Sequence, residues 1–245
     1  MNELPLRHLF LHLDGCTSGP KSYVGPLGKA LESCENLSIK KITCIEGQLL
    51  PEMPKDPKST DQQYLHKIVT AVISGEFPDD LKNRSPGKLS HARWLTRANR
   101  ILRLYVGTDE PSENLKILAT FVVKVYAPSW FLIKNKPSCK DGTRHLFNMI
   151  VASRYLPESL KNVIDPVIQR NSYFAHPENI LLAMITDDTK HIRELAARRI
   201  LKARSKPQPL KPRLFEVPLI NFKASTYIDL IDWQENLTEP PILKN

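Results

Sequence analysis

Ser90-His-Ala-Arg-Trp-Leu-Thr-Arg-Ala-Asn-Arg-Ile-Leu-Arg-Leu-Tyr-Val106 sorts into two faces at the helical period. Trp94, Leu95, Ala98, Ile101, Leu102, Tyr105 and Val106 share one broad apolar face. Arg93, Arg97, Arg100 and Arg103 fall together on the other, at spacings of four, three and three. Ser90 stands at the N-cap and Gly107 follows the last apolar residue, so both ends carry helix signals. The apolar face reads as core. Guanidinium groups on one ridge repel one another unless anions lie opposite, and Arg is the residue best matched to bidentate phosphate or carboxylate contacts. Two readings stay open: a phosphate-contacting ridge, or a face that is solvated or paired with acids elsewhere in the fold. No aromatic residue interleaves the arginines, so base stacking is not expected on this ridge.

The same period recurs on either side. Residues 4–13 carry helical apolar spacing and stop at Asp14-Gly15. A short helix is expected over 26–34, and a short strand or extended segment over 37–45. Tyr64, Leu65, Ile68, Val69, Val72 and Ile73 form a stripe that Ser59 or Thr60 caps and Gly75 ends. Pro111 and Ser112 open a helix that is expected to stop before Pro128, with another over 129–134. Further helices are expected over 141–155, from Pro157 to near Asp165, from Pro166, and over 177–185 and 189–204. Residues 205–218, with Pro207, Pro209, Pro212 and Pro218, read as an extended linker. A last helix over 226–234, capped by Ser225, presents Tyr227, Leu230, Ile231 and Trp233. The expected fold is mainly α, an irregular multi-helix bundle with Pro-rich linkers and little or no β-sheet. Its expected divisions are an N-terminal helix and loop-rich segment (1–57), a helical core (58–204) and a Pro-rich linker with a C-terminal helix (205–245).

Composition agrees with this pattern. The chain has 245 residues, 41% of them hydrophobic, with 20 Pro against 9 Gly, which favours helices separated by Pro breaks over Gly-turned sheets. Lys and Arg outnumber Asp and Glu by 35 to 26, giving a net charge of +9, which suits a nucleic-acid or anionic-surface partner. Cys16, Cys34, Cys44 and Cys139 form no Cys-x-x-Cys pair. With no signal peptide at the start, they read as reduced thiols in a nuclear or cytoplasmic protein. Residues 115–133 are the most apolar run, but Lys116, Lys124 and Pro128 interrupt them, so a buried helix pair is expected and no membrane contact.

A second basic concentration comprises Arg193, Arg198, Arg199, Lys202, Arg204, Lys206, Lys211 and Arg213. It reads as a second anion patch, an import signal, or a solvated helix end whose positive charge favours the C-terminal dipole. The candidate nucleic-acid-binding residues are therefore Arg93, Arg97, Arg100, Arg103, Arg198, Arg199 and Lys202. His8, His12 and Cys16 are spaced for zinc on a continuous helix, but Asp14-Gly15 breaks it, and Cys34 or Cys44 would be a distant fourth ligand. Asp79-Asp80 and Asp187-Asp188 precede helices, where acids serve as caps. No Gly-rich phosphate loop, Gly-x-Ser-x-Gly elbow or His-Glu-x-x-His motif occurs. Neither a cofactor, a small-molecule substrate nor a catalytic residue is expected.

Three segments, Asn2-Glu-Leu-Pro-Leu-Arg-His-Leu9, Lys88-Leu-Ser-His-Ala-Arg-Trp-Leu95 and Pro166-Val-Ile-Gln-Arg-Asn171, resemble proteins derived from animal transposable elements. The Arg93-Trp94 pair resembles the Arg-Trp motif in the helical insertion of hAT-like transposases. The resemblance implies a parent with a ribonuclease H-like fold and an Asp-Asp-Glu triad that binds two divalent metals. It makes the 2–13 helix similar to the one after the second catalytic Asp. The catalytic Asp residues would then fall on strands before Met1, and Glu194 is the one loose counterpart of the third acid. Two-metal chemistry needs its acids to converge. The resemblance therefore implies the C-terminal, helical part of a degenerate transposase that cannot cut DNA alone, and with the arginine stripe and the net charge the expected function is non-specific DNA binding through the Arg93 to Arg103 ridge. The alternative is a protein-interaction module that docks through the Pro-rich segment and the Trp233 helix.

Overall fold

A computed structural model describes residues 2–16, 22–40, 43–53, 59–89, 94–170, 172–205 and 217–234. The chain is mainly helical, and no sheet forms among the described residues. The helices are α1 (Glu3–Asp14), α2 (Pro26–Leu31), α3 (Thr60–Ser74), α4 (Asp79–Lys82), α5 (Trp94–Gly107), α6 (Glu113–Phe121), α7 (Ala127–Asn135), α8 (Cys139–Ser153), α9 (Glu158–Arg170), α10 (Pro177–Ile185) and α11 (Lys190–Arg204). They group into two compact units, residues 1–135 with 152–167, and residues 136–151 with 168–245. These units cut across the division drawn from composition, because the loop-rich N-terminal segment buries its apolar residues against the central helices.

In the first unit α5 is the central element. It packs against α1, α2, α3 and α6, and all fourteen of its residues are buried. The α3 stripe of Tyr64, Leu65, Ile68, Val69 and Val72 faces it, and α1 adds Leu6, Leu9 and Phe10. Gly75 ends α3 with φ 78°, a left-handed turn that a side chain would strain, and its N–H returns to the Ala71 carbonyl. Ser112 caps α6 by accepting from the Leu115 N–H. Asp14 at the end of α1 accepts from the N–H groups of Leu27 and Gly28, so one helix's last side chain caps the next helix's start.

The segment expected as strand or extended is unpaired in its described part. Lys40 N–H donates to the Val106 carbonyl and Ile45 N–H to the Val72 carbonyl, so helix C-termini take the bonds a neighbouring strand would have taken. Two proline expectations are corrected. Helices α6 and α7 run as one rod from Glu113 to Asn135, joined by a π-turn over Val122–Tyr126 just before Pro128. Pro128 lacks an N–H and crowds the preceding turn, and the widened turn relieves that crowding without ending the helix. Pro166 likewise lies inside α9. The rod is long and apolar enough to cross a membrane by length and composition, but 56% of its most apolar window is buried inside the fold.

In the second unit α10 and α11 form a hairpin. Its core includes Leu146, Met149, Ile180, Leu181, Met184 and Ala196. The final described stretch, 217–234, is a strap across this unit. Gln169 clamps its start, donating to the Pro218 carbonyl and accepting from the Ile220 N–H, and Leu230 and Ile231 are buried. The helix expected over 226–234 is a short 3-10 turn, Tyr227–Leu230, preceded by Thr226.

Candidate functional site

The structure places the arginines of α5 inside the first unit. Arg97, Arg100 and Arg103 are 5%, 3% and 4% exposed, and Arg93 lies outside the described residues. Arg100 donates through Nε to the Gly87 carbonyl and through Nη1 to the Leu31 carbonyl, both at 2.7 Å, and pairs with Glu35 at 2.8 Å. Arg103 donates to the carbonyls of Leu37 and Lys82. Arg97 stacks its guanidinium over Trp94 at 4.4 Å and faces Tyr23 at 5.5 Å. An exposed phosphate ridge over Arg97, Arg100 and Arg103 is therefore corrected.

The cause lies in the irregular segments that cover this face. Residues 31–37 and 82–87 have few regular backbone partners, so their buried carbonyls need donors from elsewhere. A guanidinium offers five N–H groups in a fixed fork and supplies them. The arginines thus tie loops to a helix, chiefly through carbonyls, with one acid among the partners. Burial shifts the neighbours: it pushes the Cys34 thiol up to about 11 and the Tyr64 hydroxyl up to about 12, against the opposing pull of the arginines.

The other candidates lie on α11, in the second unit. Its fifteen residues hold six Lys or Arg and one acid, Glu194. Lys190, Arg198, Lys202 and Arg204 are exposed. Lys190 and Arg198 approach Glu194 at 3.8 and 3.9 Å, with side chains 83% and 77% exposed. Lys190, Glu194, Arg198 and Lys202 follow each other at four-residue steps, so they make one outward ridge. Arg193 turns back instead, donating to the carbonyls of Asp187 and Asp188. Arg199 also turns inward, its guanidinium 4.0 Å from the Trp233 ring centre. Lys206, Lys211 and Arg213 lie outside the described residues.

Glu194, the loose counterpart of a third catalytic acid, is a surface residue between two cations. Among the described residues no three His, Cys, Asp or Glu side chains converge as a metal site. Gly15 with φ 90° turns the chain off α1 before Cys16, which separates that thiol from the His8 and His12 spacing. Asp187 does cap the start of the next turn, accepting from Thr189 N–H, but it also accepts from Arg144 at 2.8 Å and from the Tyr227 hydroxyl at 2.6 Å. Burial raises its carboxyl, and the bonds from Tyr227, Arg144 and Thr189 outweigh that and hold it well below the usual carboxylate range. The Tyr227 hydroxyl is pushed up to about 12, by burial first and then by its bond to Asp187.

Trp233 was expected on a docking helix. It instead donates its Nε1–H to the Ile228 carbonyl at 2.8 Å and stacks on Arg199. Its place beside the basic helix could not be read from sequence, because Arg199 and Trp233 stand 34 positions apart and no pattern links them. No protein-family model matches the chain, and neither a curated protein nor a solved structure is significantly similar to it.

Proposed function

We propose that this chain is a catalytically incomplete, transposase-derived helical domain that holds nucleic-acid phosphates on the outer face of α11 without reading sequence. One observation carries the binding half of this reading: α11 bears six basic residues against one acid, and four of them are exposed. From Lys190 to Lys202 the ridge is about 18 Å long, which spans about five phosphates of one strand. Its contacts are charge contacts from flexible side chains, which position a backbone and carry no base readout. The descent half is supported by the resemblance carried on the 2–9, 88–95 and 166–171 segments. A nuclear or cytoplasmic location is proposed with it.

The rival reading as a protein-docking module draws little support from 217–234. Tyr227 and Trp233, its aromatic anchors, are engaged within the second unit. The test is affinity for DNA against salt, for the native chain and for Arg198→Glu with Lys202→Glu. The pair is expected to weaken binding and flatten its salt dependence while helical circular dichroism stays intact. Absence of binding by the native chain at low salt would sink the proposal.

A further inference from the structure

We propose that the second unit holds a single-stranded nucleic-acid site, in which Trp233 stacks a base while Arg198 and Lys202 hold the flanking phosphates. This rests on the reading of α11 as a phosphate-binding face and names the form of nucleic acid that face takes.

The indole of Trp233 is fixed twice. Its Nε1–H donates to the Ile228 carbonyl at 2.8 Å, and the Arg199 guanidinium lies 4.0 Å from its ring centre. These two contacts hold the indole in one orientation, and Trp233 as a residue is half-buried and not enclosed. A base laid on the accessible part of the indole extends the stack that Arg199 begins, an arrangement that joins cation–π and base–aromatic attraction. Arg199 shares a face of α11 with Leu195 and Lys202, at i−4 and i+3, and Arg198, one residue before it, stands on the adjoining outward ridge four residues before Lys202. Leu195 is 37% exposed and adds apolar surface to the face of α11 that carries Arg199.

Charge orients the strand. Asp229, whose carboxylate acts on Arg199, and Asp232, next to Trp233 in sequence, disfavour phosphates on the strap. Phosphates therefore run along the helix, and the base is left over the indole. A duplex keeps its base faces within its own stack and offers Trp233 nothing to cover. The α5 arginines lack any such platform, since Trp94 beside them is 6% exposed.

The experiment uses the full chain with a short oligothymidylate and with a duplex of equal length. Affinity is read by anisotropy at two salt concentrations, and tryptophan fluorescence is read alongside. The single strand is expected to bind at least tenfold more tightly and to quench fluorescence. Trp233→Leu should weaken single-strand binding by about 5- to 150-fold and remove most of the quench. It should leave duplex affinity and the salt slope unchanged. Trp233→Phe, which keeps a stacking ring, should retain most of the affinity, which separates loss of the ring from loosening of the strap. Equal affinity for the two forms, or equal weakening of both by Trp233→Leu, overturns this proposal and leaves the α11 reading standing. Salt-independent or absent binding of both forms overturns the two together.

Discussion

Replacing Arg100 with Met separates a guanidinium that ties loops from one that meets DNA. Met keeps the length and much of the apolar volume, so the loss is in hydrogen bonds rather than packing. The native side chain bonds the Gly87 and Leu31 carbonyls at 2.7 Å each and pairs with Glu35 at 2.8 Å. Glu35 is 38% exposed and regains water when its partner goes, so the ion pair contributes little. The two carbonyls lie under the loops and lose their donors, at about 1–3 kcal/mol each. The expected loss is about 2–6 kcal/mol, a large share of the roughly 5–15 kcal/mol typical of a folded protein. At about 2–4 °C per kcal/mol for a chain of this size, the melting temperature should fall by roughly 4–24 °C. Arg198→Met, on the exposed ridge, should stay within about 0.5 kcal/mol of the native chain. Urea and thermal unfolding by circular dichroism make the comparison. An Arg100→Met chain that unfolds like the native protein yet loses nucleic-acid affinity would refute the burial argument and return the α5 arginines to the surface.

Three further outcomes are expected. Asp187 has a folded pKa below its unfolded value of about 3.9, so its contribution is fully present above that pH and is lost as pH falls through the folded value. The stability gap between native and Asp187→Asn chains should therefore close as urea midpoints are measured from neutral pH down to about pH 2, and a gap that widens on acidification contradicts the network. Tyr227→Phe removes the hydroxyl's bond to the Asp187 carboxylate and the longer one it accepts from Arg144, and a loss of at least about 1.5–3 kcal/mol in urea unfolding is expected; no change would show that Arg144 holds Asp187 unaided. Gly75→Ala puts a Cβ at φ 78° and 2.9 Å from the Cys44 sulfur, so a loss of about 1–2 kcal/mol is expected, and a neutral result would place the α3 terminus in another conformation.

The helical character was legible because periodicity reports burial directly. Tyr64 to Val72, Trp94 to Val106 and the Ser112 and Gly75 signals all landed where apolar spacing and cap chemistry put them. Prolines misled, since Pro128 and Pro166 sit inside helices and a π-turn precedes the first. The arginine stripe shows a deeper limit. A helical wheel says which residues face together, but not what lies opposite. Here the opposite surface is a set of carbonyls from residues 31–37 and 82–87, which no side-chain pattern announces. The tie between Trp233 and Arg199 was hidden for the same reason.

The most direct test of α11 as the anion surface is the salt slope of nucleic-acid affinity. On duplex DNA, four exposed cations predict a log–log slope near −3.6, so duplex affinity should fall by about 150-fold between roughly 50 and 200 mM salt. Arg198→Glu with Lys202→Glu should bring that slope to about −1.8 or shallower, while Arg100→Met, compared at a temperature where it stays folded, should leave it unchanged. A native slope near zero, or one that responds to Arg100 and not to Arg198 and Lys202, contradicts the assignment.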